Sequence, residues 1–125
     1  MKIKSVSGLT MYVKNPARTA KFYEALGFTI RSRESDHVTA YSNWFWIDFV
    51  DAGKATRPQA KISGAGGKGA GIFVYLSVDD VDAFHKFLLS KGVKPAGKPQ
   101  DVPSGNREFL IRDPDGYEMV IFKRK

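Results

Sequence analysis

Within the stretch NWFWIDFV, residues 43 to 50, Trp44, Trp46 and Asp48 recur at every second position. In an extended strand that spacing sends all three side chains to one face, and Phe45, Ile47 and Phe49 to the other. Two indoles beside a carboxylate suit two kinds of chemistry. Flat aromatic faces stack on planar ligands and attract cations by about 0.5–2 kcal/mol, the more so with a negative charge at hand. A carboxylate whose pKa is raised by apolar surroundings serves as a general base. The alternative is packing, in which the two indoles fill a core or a subunit interface.

Other reactive side chains are sparse. The sequence has no cysteine, so disulfides, thiolate metal sites and a cysteine nucleophile are excluded. Of its two histidines, His85 falls within a helical pattern and reads as a surface or half-buried helix residue, and His37 begins a strand and reads as an edge residue. No Ser/His/Asp order stands out. The glycine-rich GAGGKGAG, residues 64 to 71, lacks a Ser or Thr after its lysine and a strand-to-helix setting, so it reads as a loop and not a phosphate cradle.

The elements that must position the Trp/Trp/Asp face are legible as a duplication. With an offset of 65, VKNPARTAKFYEALGF (13 to 28) lies over VDDVDAFHKFLLSKGV (78 to 93), sharing Val13/Val78, Lys21/Lys86, Phe22/Phe87 and Gly27/Gly92. Both segments read as a strand end, an N-cap (Asn15, Asp80), a helix of about eleven residues and a glycine suited to the left-handed C′ position. Pro16 fits the first helical turn, where its missing N–H is no loss. Thr19, Phe22, Tyr23 and Leu26 make the inward stripe of the first helix, and Val81, Phe84, Phe87 and Leu88 that of the second.

Alternating strands flank both helices. GLTMYV (8 to 13) precedes the first, and FTIRSRE, HVTAYS and WFWIDFV follow it; FVYLSV (73 to 78) precedes the second, and VKPAG, REFLIR and YEMVIF follow it. Each half is β-α-β-β-β. This predicts an α+β chain forming one domain over 1–125, with a first module at 1–51, a linker at 52–71 and a second module at 72–125. The linker is rich in Gly and Ala and carries Lys54, Arg57, Lys61 and Lys68 without an acidic residue.

Composition sets the outer bounds. A chain of 125 residues, 42% hydrophobic and 13% aromatic, is long enough for one compact core. No apolar run approaches the ~18 residues of a membrane span, so no membrane partner is expected and the cytoplasm is the expected location. The net charge of +7 favours an acidic ligand, but the basic residues are scattered, which argues against nucleic acid.

The duplicated βαβββ halves, FYEALGF closing the first helix, VDDVDAF opening the second and RDPDGYEMVIF closing the chain resemble the vicinal oxygen chelate superfamily. That superfamily includes glyoxalase I, extradiol dioxygenases, fosfomycin-resistance enzymes and bleomycin-resistance proteins. The resemblance covers essentially the whole chain, and RDPDGYE also reads independently as a tight turn through Pro114 and Gly116.

The resemblance implies that each half curls its sheet into half of an open barrel, with the helix outside and a ligand cleft inside. Gly8, Thr10, Tyr12, Trp44, Trp46, Asp48, Phe73, Tyr75, Ser77, Val120 and Phe122 would then face the cleft. The superfamily's enzymes hold a divalent metal with His, Glu or Gln, and their ligand positions carry over to Gly8, Asp48, Phe73 and Val120. Only Asp48 can coordinate through its side chain, so neither a metal nor another cofactor is expected. What remains is a pocket of Tyr12, Trp44, Trp46, Asp48, Phe73, Tyr75, Val120 and Phe122. The superfamily's metal-free branch, the bleomycin-resistance-like proteins, sequesters a drug in aromatic clefts of a homodimer. Those proteins tend to be acidic, so the basic charge here points instead to a planar or anionic aromatic metabolite, steered by the linker's basic residues. The competing expectation is an enzyme of the same fold, a lyase, isomerase or glyoxalase-like protein, with Asp48 as general base or a ligand-poor metal site.

Overall fold

The computed structural model describes residues 1–53, 69 and 71–124. The chain divides into two compact units, Met1–Gly66 and Gly67–Lys125. The first runs β1 (Gly8–Val13), α1 (Pro16–Leu26), β2 (Thr29–Arg33), β3 (His37–Ser42) and β4 (Phe45–Asp51). The second runs β5 (Val74–Ser77), α2 (Val81–Ser90), β6 (Gln100–Asp101), β7 (Asn106–Arg112) and β8 (Glu118–Arg124). Each unit is βαβββ, and its four strands form one mixed sheet, in the orders β1-β4-β3-β2 and β5-β8-β7-β6. In both, the outer pair (β1 with β4, β5 with β8) is parallel and the remaining ladders are antiparallel.

The helix ends show why the two halves fold alike. Asn15 and Asp80 cap α1 and α2 in extended conformation, accepting hydrogen bonds from the backbone N–H of Arg18 (3.1 Å) and Ala83 (3.0 Å). At the other end Gly27 (φ 106°) and Gly92 (φ 79°) take the left-handed conformation that side chains resist. The N–H of Phe28 then reaches the carbonyl of Tyr23, and that of Val93 reaches Leu88, both pairs being related by the 65-residue offset.

Each helix packs on one face of its sheet. In the first unit Thr19, Ala20, Tyr23 and Leu26 are buried, as are Met11, Val13, Val38, Ala40, Ile47 and Phe49 of the sheet. The Tyr23 ring lies 4.4 Å from Phe49 and 5.4 Å from Phe28, centroid to centroid. In the second unit Val81 and Leu88 are buried, with Phe109, Ile111, Met119 and Ile121 of the sheet. The expected helix stripes need correcting at Phe22, which is half-buried, and at Phe87, which is 43% exposed with the Lys91 ammonium over its ring. Both stand one residue, about 100° of helix, before the inward Tyr23 and Leu88, and Ala20 takes the inward place instead.

Two strands also differ from expectation. VKPAG (93 to 97) is not a strand; β6 forms downstream, because Pro95 has no N–H to donate and Gly97 weakens an extended run. Strand β4 begins at Phe45, since Asn43 and Trp44 form the turn between β3 and β4. The linker residues Lys54, Arg57, Lys61 and Lys68 lie outside the described residues. The closing turn is as read: Gly116 has φ 92°, and one Asp113 carboxylate oxygen accepts from the N–H groups of Asp115 (2.8 Å) and Tyr117 (3.0 Å). Among the described residues no helix is long and apolar enough to cross a membrane.

Candidate functional site

The helix covers one face of each sheet, and the opposite face carries those candidate site residues that lie within strands. Directly paired residues share a face, so the register reads out rows across the first sheet. One row is Gly8, Trp46, Tyr41 and Thr29; the next is Thr10, Asp48, Thr39 and Ser32; a third is Tyr12, Val50 and His37. Trp46, Asp48 and Tyr41 are half-buried, and Tyr12 is 4% exposed.

Trp46 lies on Gly8. A Cβ at position 8 would collide with Cδ2, Cε2 and Cε3 of the indole, so the absence of a side chain on β1 is what lets the ring settle across the strand. Tyr41 stands beside it in the same row, and the Arg31 guanidinium carbon sits 5.3 Å from the Tyr41 ring centroid. Arg31 stands two residues from Thr29, the cross-strand partner of Tyr41, and so on the same face; the β2–β3 register shifts between Ile30 and Ser32, leaving it as the extra residue of a bulge. Neither Tyr41 nor Arg31 was among the expected site residues. The β3 alternation Thr39/Tyr41 and the β2 alternation Thr29/Arg31 put both on the face of Trp46, a signal available in the sequence.

Asp48 holds its expected place, and its neighbours differ from those expected. Its Oδ1 accepts a hydrogen bond from Thr39 Oγ1 at 3.3 Å, and Thr10, Thr39 and Ser32 fill its row. The apolar surroundings expected of a general base are thus hydroxyl-bearing, because cross-strand partners rather than chain neighbours line the side chain. Trp44 leaves the expected face altogether. It sits in the turn, 74% exposed, after Asn43 at φ 54°. A two-residue hairpin connection needs positive φ, which Asn tolerates, so the alternation is broken before Trp44 can join Trp46.

In the second unit Phe73, Tyr75, Gln100, Glu108, Phe109, Leu110 and Val120 line a concavity of about 240 Å³. Tyr75, Val120 and Leu110 form one row, and Ser77, Phe122, Glu108 and Gln100 the next. Tyr75 is 54% exposed and meets Phe122 edge-on at 5.5 Å. Phe73 precedes β5 and is half exposed, and Val120 is buried as floor.

The histidines serve structure. His85 Nε2 pairs with the Gly97 carbonyl at 3.3 Å, and its ring stands edge-on to Phe109. His37 pairs through Nδ1 with Asp36 at 3.0 Å. Arg107 forks onto both Asp82 oxygens at 2.8 Å and reaches Asp101 at 3.2 Å, tying α2 to β6 and β7. That hydrogen-bonded guanidinium holds the Asp82 carboxyl below its ordinary range, and the carboxylates raise Arg107.

Residues 5–121 match the sequence profile of the Glyoxalase/Bleomycin resistance protein/Dioxygenase superfamily, and the chain belongs to that family. Solved structures agree on the fold. An integron cassette protein from the mobile metagenome of V. cholerae is 24% identical, with a TM-score of 0.77 over 98% of this chain and 96% of that one. Lactoylglutathione lyase from Agrobacterium tumefaciens is 16% identical, with a TM-score of 0.75 over 97% and 94% of the two chains. TioX from Micromonospora sp. ML1 is 21% identical, with a TM-score of 0.75 over 97% and 99%. Curated proteins give no match.

The residues present do not fit the divalent metal of the family's enzymes. Asp48 pairs with Thr10 and Val120 with Tyr75, and positions 10 and 75 are related by the 65-residue offset, so Asp48 and Val120 occupy equivalent places. Gly8, Phe73 and Val120 offer no side-chain donor, and the Trp46 indole fills the space a ligand at position 8 would need. Among the described residues no three His, Asp or Glu side chains gather into a metal site.

Proposed function

We propose that this chain is a metal-free small-molecule-binding protein of its superfamily, holding a flat aromatic ligand against the first unit's open sheet face. The observation that carries this reading is the Trp46 indole resting on Gly8 where a metal ligand would otherwise project. A half-buried indole beside Tyr41, with Asp48 in the adjoining row, offers a ring a stacking surface and a polar edge. Tyr12 backs this face; Phe73, Tyr75, Val120 and Phe122 make a second aromatic surface in the other unit. The exposed Ile72, Phe73 and Tyr75 also support self-association into a homodimer, which sedimentation across micromolar concentrations tests.

Titrating the protein with a flat aromatic probe such as 2-naphthylmethanol, read by tryptophan quenching, tests the reading. Trp46→Ala reduces affinity about tenfold or more, equivalent to roughly 1.4 kcal/mol, and destabilises the fold by less than the about 3–5 kcal/mol of a packed core aromatic. Asp48→Asn separates binding from catalysis: a binding Asp48 changes affinity, whereas a general base changes turnover alone. A parent protein that no aromatic probe quenches refutes the proposal.

A further inference from the structure

We propose that the first unit's open face selects planar aromatic acids, with Arg31 receiving the carboxylate while the ring stacks on Trp46; this rests on the binding function proposed above. Three neighbours form one continuous line. Trp46 and Tyr41 are direct cross-strand partners, which puts their Cβ atoms about 4.5–5.5 Å apart, and the Arg31 guanidinium lies over the far ring of that pair. Arg31 is exposed, and among the described residues no carboxylate pairs with it. By contrast the next arginine along β2, Arg33, is bonded to Glu24 at 3.2 Å, and Arg107 and Arg112 likewise face carboxylates.

The charge at Arg31 is therefore both placed and uncommitted. A guanidinium held over an aromatic ring by a cation–π contact still has N–H groups to donate, and their fork matches the two oxygens of a carboxylate. Period-two alternation from Thr29, the partner of Tyr41, puts Arg31 on that same face, and the extra residue turns Arg33 instead to the helix side, where it pairs with Val38. Asp48 lies two residues from Trp46 along β4, about 6.5–7 Å at the strand rise. It repels a carboxylate at that end and accepts from a hydroxyl or amino group there. The polarity of the face thus orients an aromatic acid with its carboxylate toward β2 and any donor substituent toward Asp48.

The test compares 2-naphthoate with neutral 2-naphthylmethanol by calorimetric titration of the full chain in low salt. Parent protein binds naphthoate about tenfold more tightly, the lower end of what a charge-assisted hydrogen bond gives. Arg31→Gln abolishes that preference and leaves naphthylmethanol affinity unchanged. Lys21→Gln removes the same charge from the exposed surface of α1 and leaves the preference intact, which separates Arg31 from the net charge of +7. Equal affinities in the parent, or a preference that survives Arg31→Gln, overturn the proposal while the stacking reading stands. If neither probe binds, both fall together.

Discussion

Gly8→Ala is the sharpest perturbation of the first unit, because it adds one methyl group where Cδ2, Cε2 and Cε3 of Trp46 already lie. Strand β1 does not need glycine for its backbone, as Gly8 lacks a positive φ and pairs regularly with Trp46. Alanine therefore stabilises the strand by about 0.5–1 kcal/mol relative to glycine. Against this, forcing a methyl into an occupied space costs about 1–3 kcal/mol. The net is a destabilisation of roughly 0–2.5 kcal/mol, toward the lower end because the half-buried indole can swing toward solvent. In a Trp46→Ala background the clash is gone and only the strand term remains, so the same substitution there stabilises. Urea unfolding of the four proteins gives the coupling, expected at about 1–3 kcal/mol. Trp44 would confuse the optical readout, so the cycle is run with Trp44→Phe, which leaves Trp46 the sole indole. Gly8→Ala then shifts emission to longer wavelength and weakens naphthylmethanol binding. Unchanged emission, affinity and stability would show that the indole does not rest on Gly8.

Trp44→Ala, at a 74% exposed turn position, changes stability by no more than about 0.5 kcal/mol and leaves probe affinity intact; a tenfold loss of affinity would return Trp44 to the binding face. Elemental analysis of purified protein finds no stoichiometric zinc, nickel, manganese or iron, since three of the four family ligand positions lack donors; about one metal per chain, retained in Asp48→Ala, contradicts the fit described above. Asp82→Asn lowers the thermal midpoint at neutral pH. Because the folded carboxyl lies below its ordinary value, its contribution is complete above about pH 4 and is lost as pH falls through the folded pKa. The midpoints of parent and variant therefore converge in acid, and a gap that persists there refutes the assignment to the Arg107 bridge.

The parts of this protein governed by local rules were legible in the sequence. Asn15, Asp80, Gly27 and Gly92 bracket the helices as their capping chemistry requires, and the period-two pattern assigns Ile47, Phe49, Met119 and Ile121 to the helix side. Trp44 went astray for a reason also present in the sequence. HVTAYS and WFWIDFV leave Asn43 alone between the two expected strands, yet a tight antiparallel hairpin takes two residues to turn, and Asn43 with Trp44 supplies them. Arg31 follows Thr29 by the same period of two, but the slip beyond it, which turns Arg33 to the helix side, is a property of two strands together that no count along FTIRSRE alone reveals. The hydroxyl-lined setting of Asp48 was hidden likewise, since Thr10 pairs with it and Thr39 bonds to it across the sheet and not along the chain.

The resting place of Trp46 also fixes an order of operations for anyone wishing to redesign the chain. Placing histidine at position 8 as a first step drives an imidazole into an indole that already fills its volume. Shortening Trp46 first opens the corner beside Asp48 at the loss of a stacking surface, and only then does a ligand at position 8 have room. The route from aromatic shelf to metal corner thus runs through an intermediate with neither, and the two uses of this corner exclude each other residue by residue.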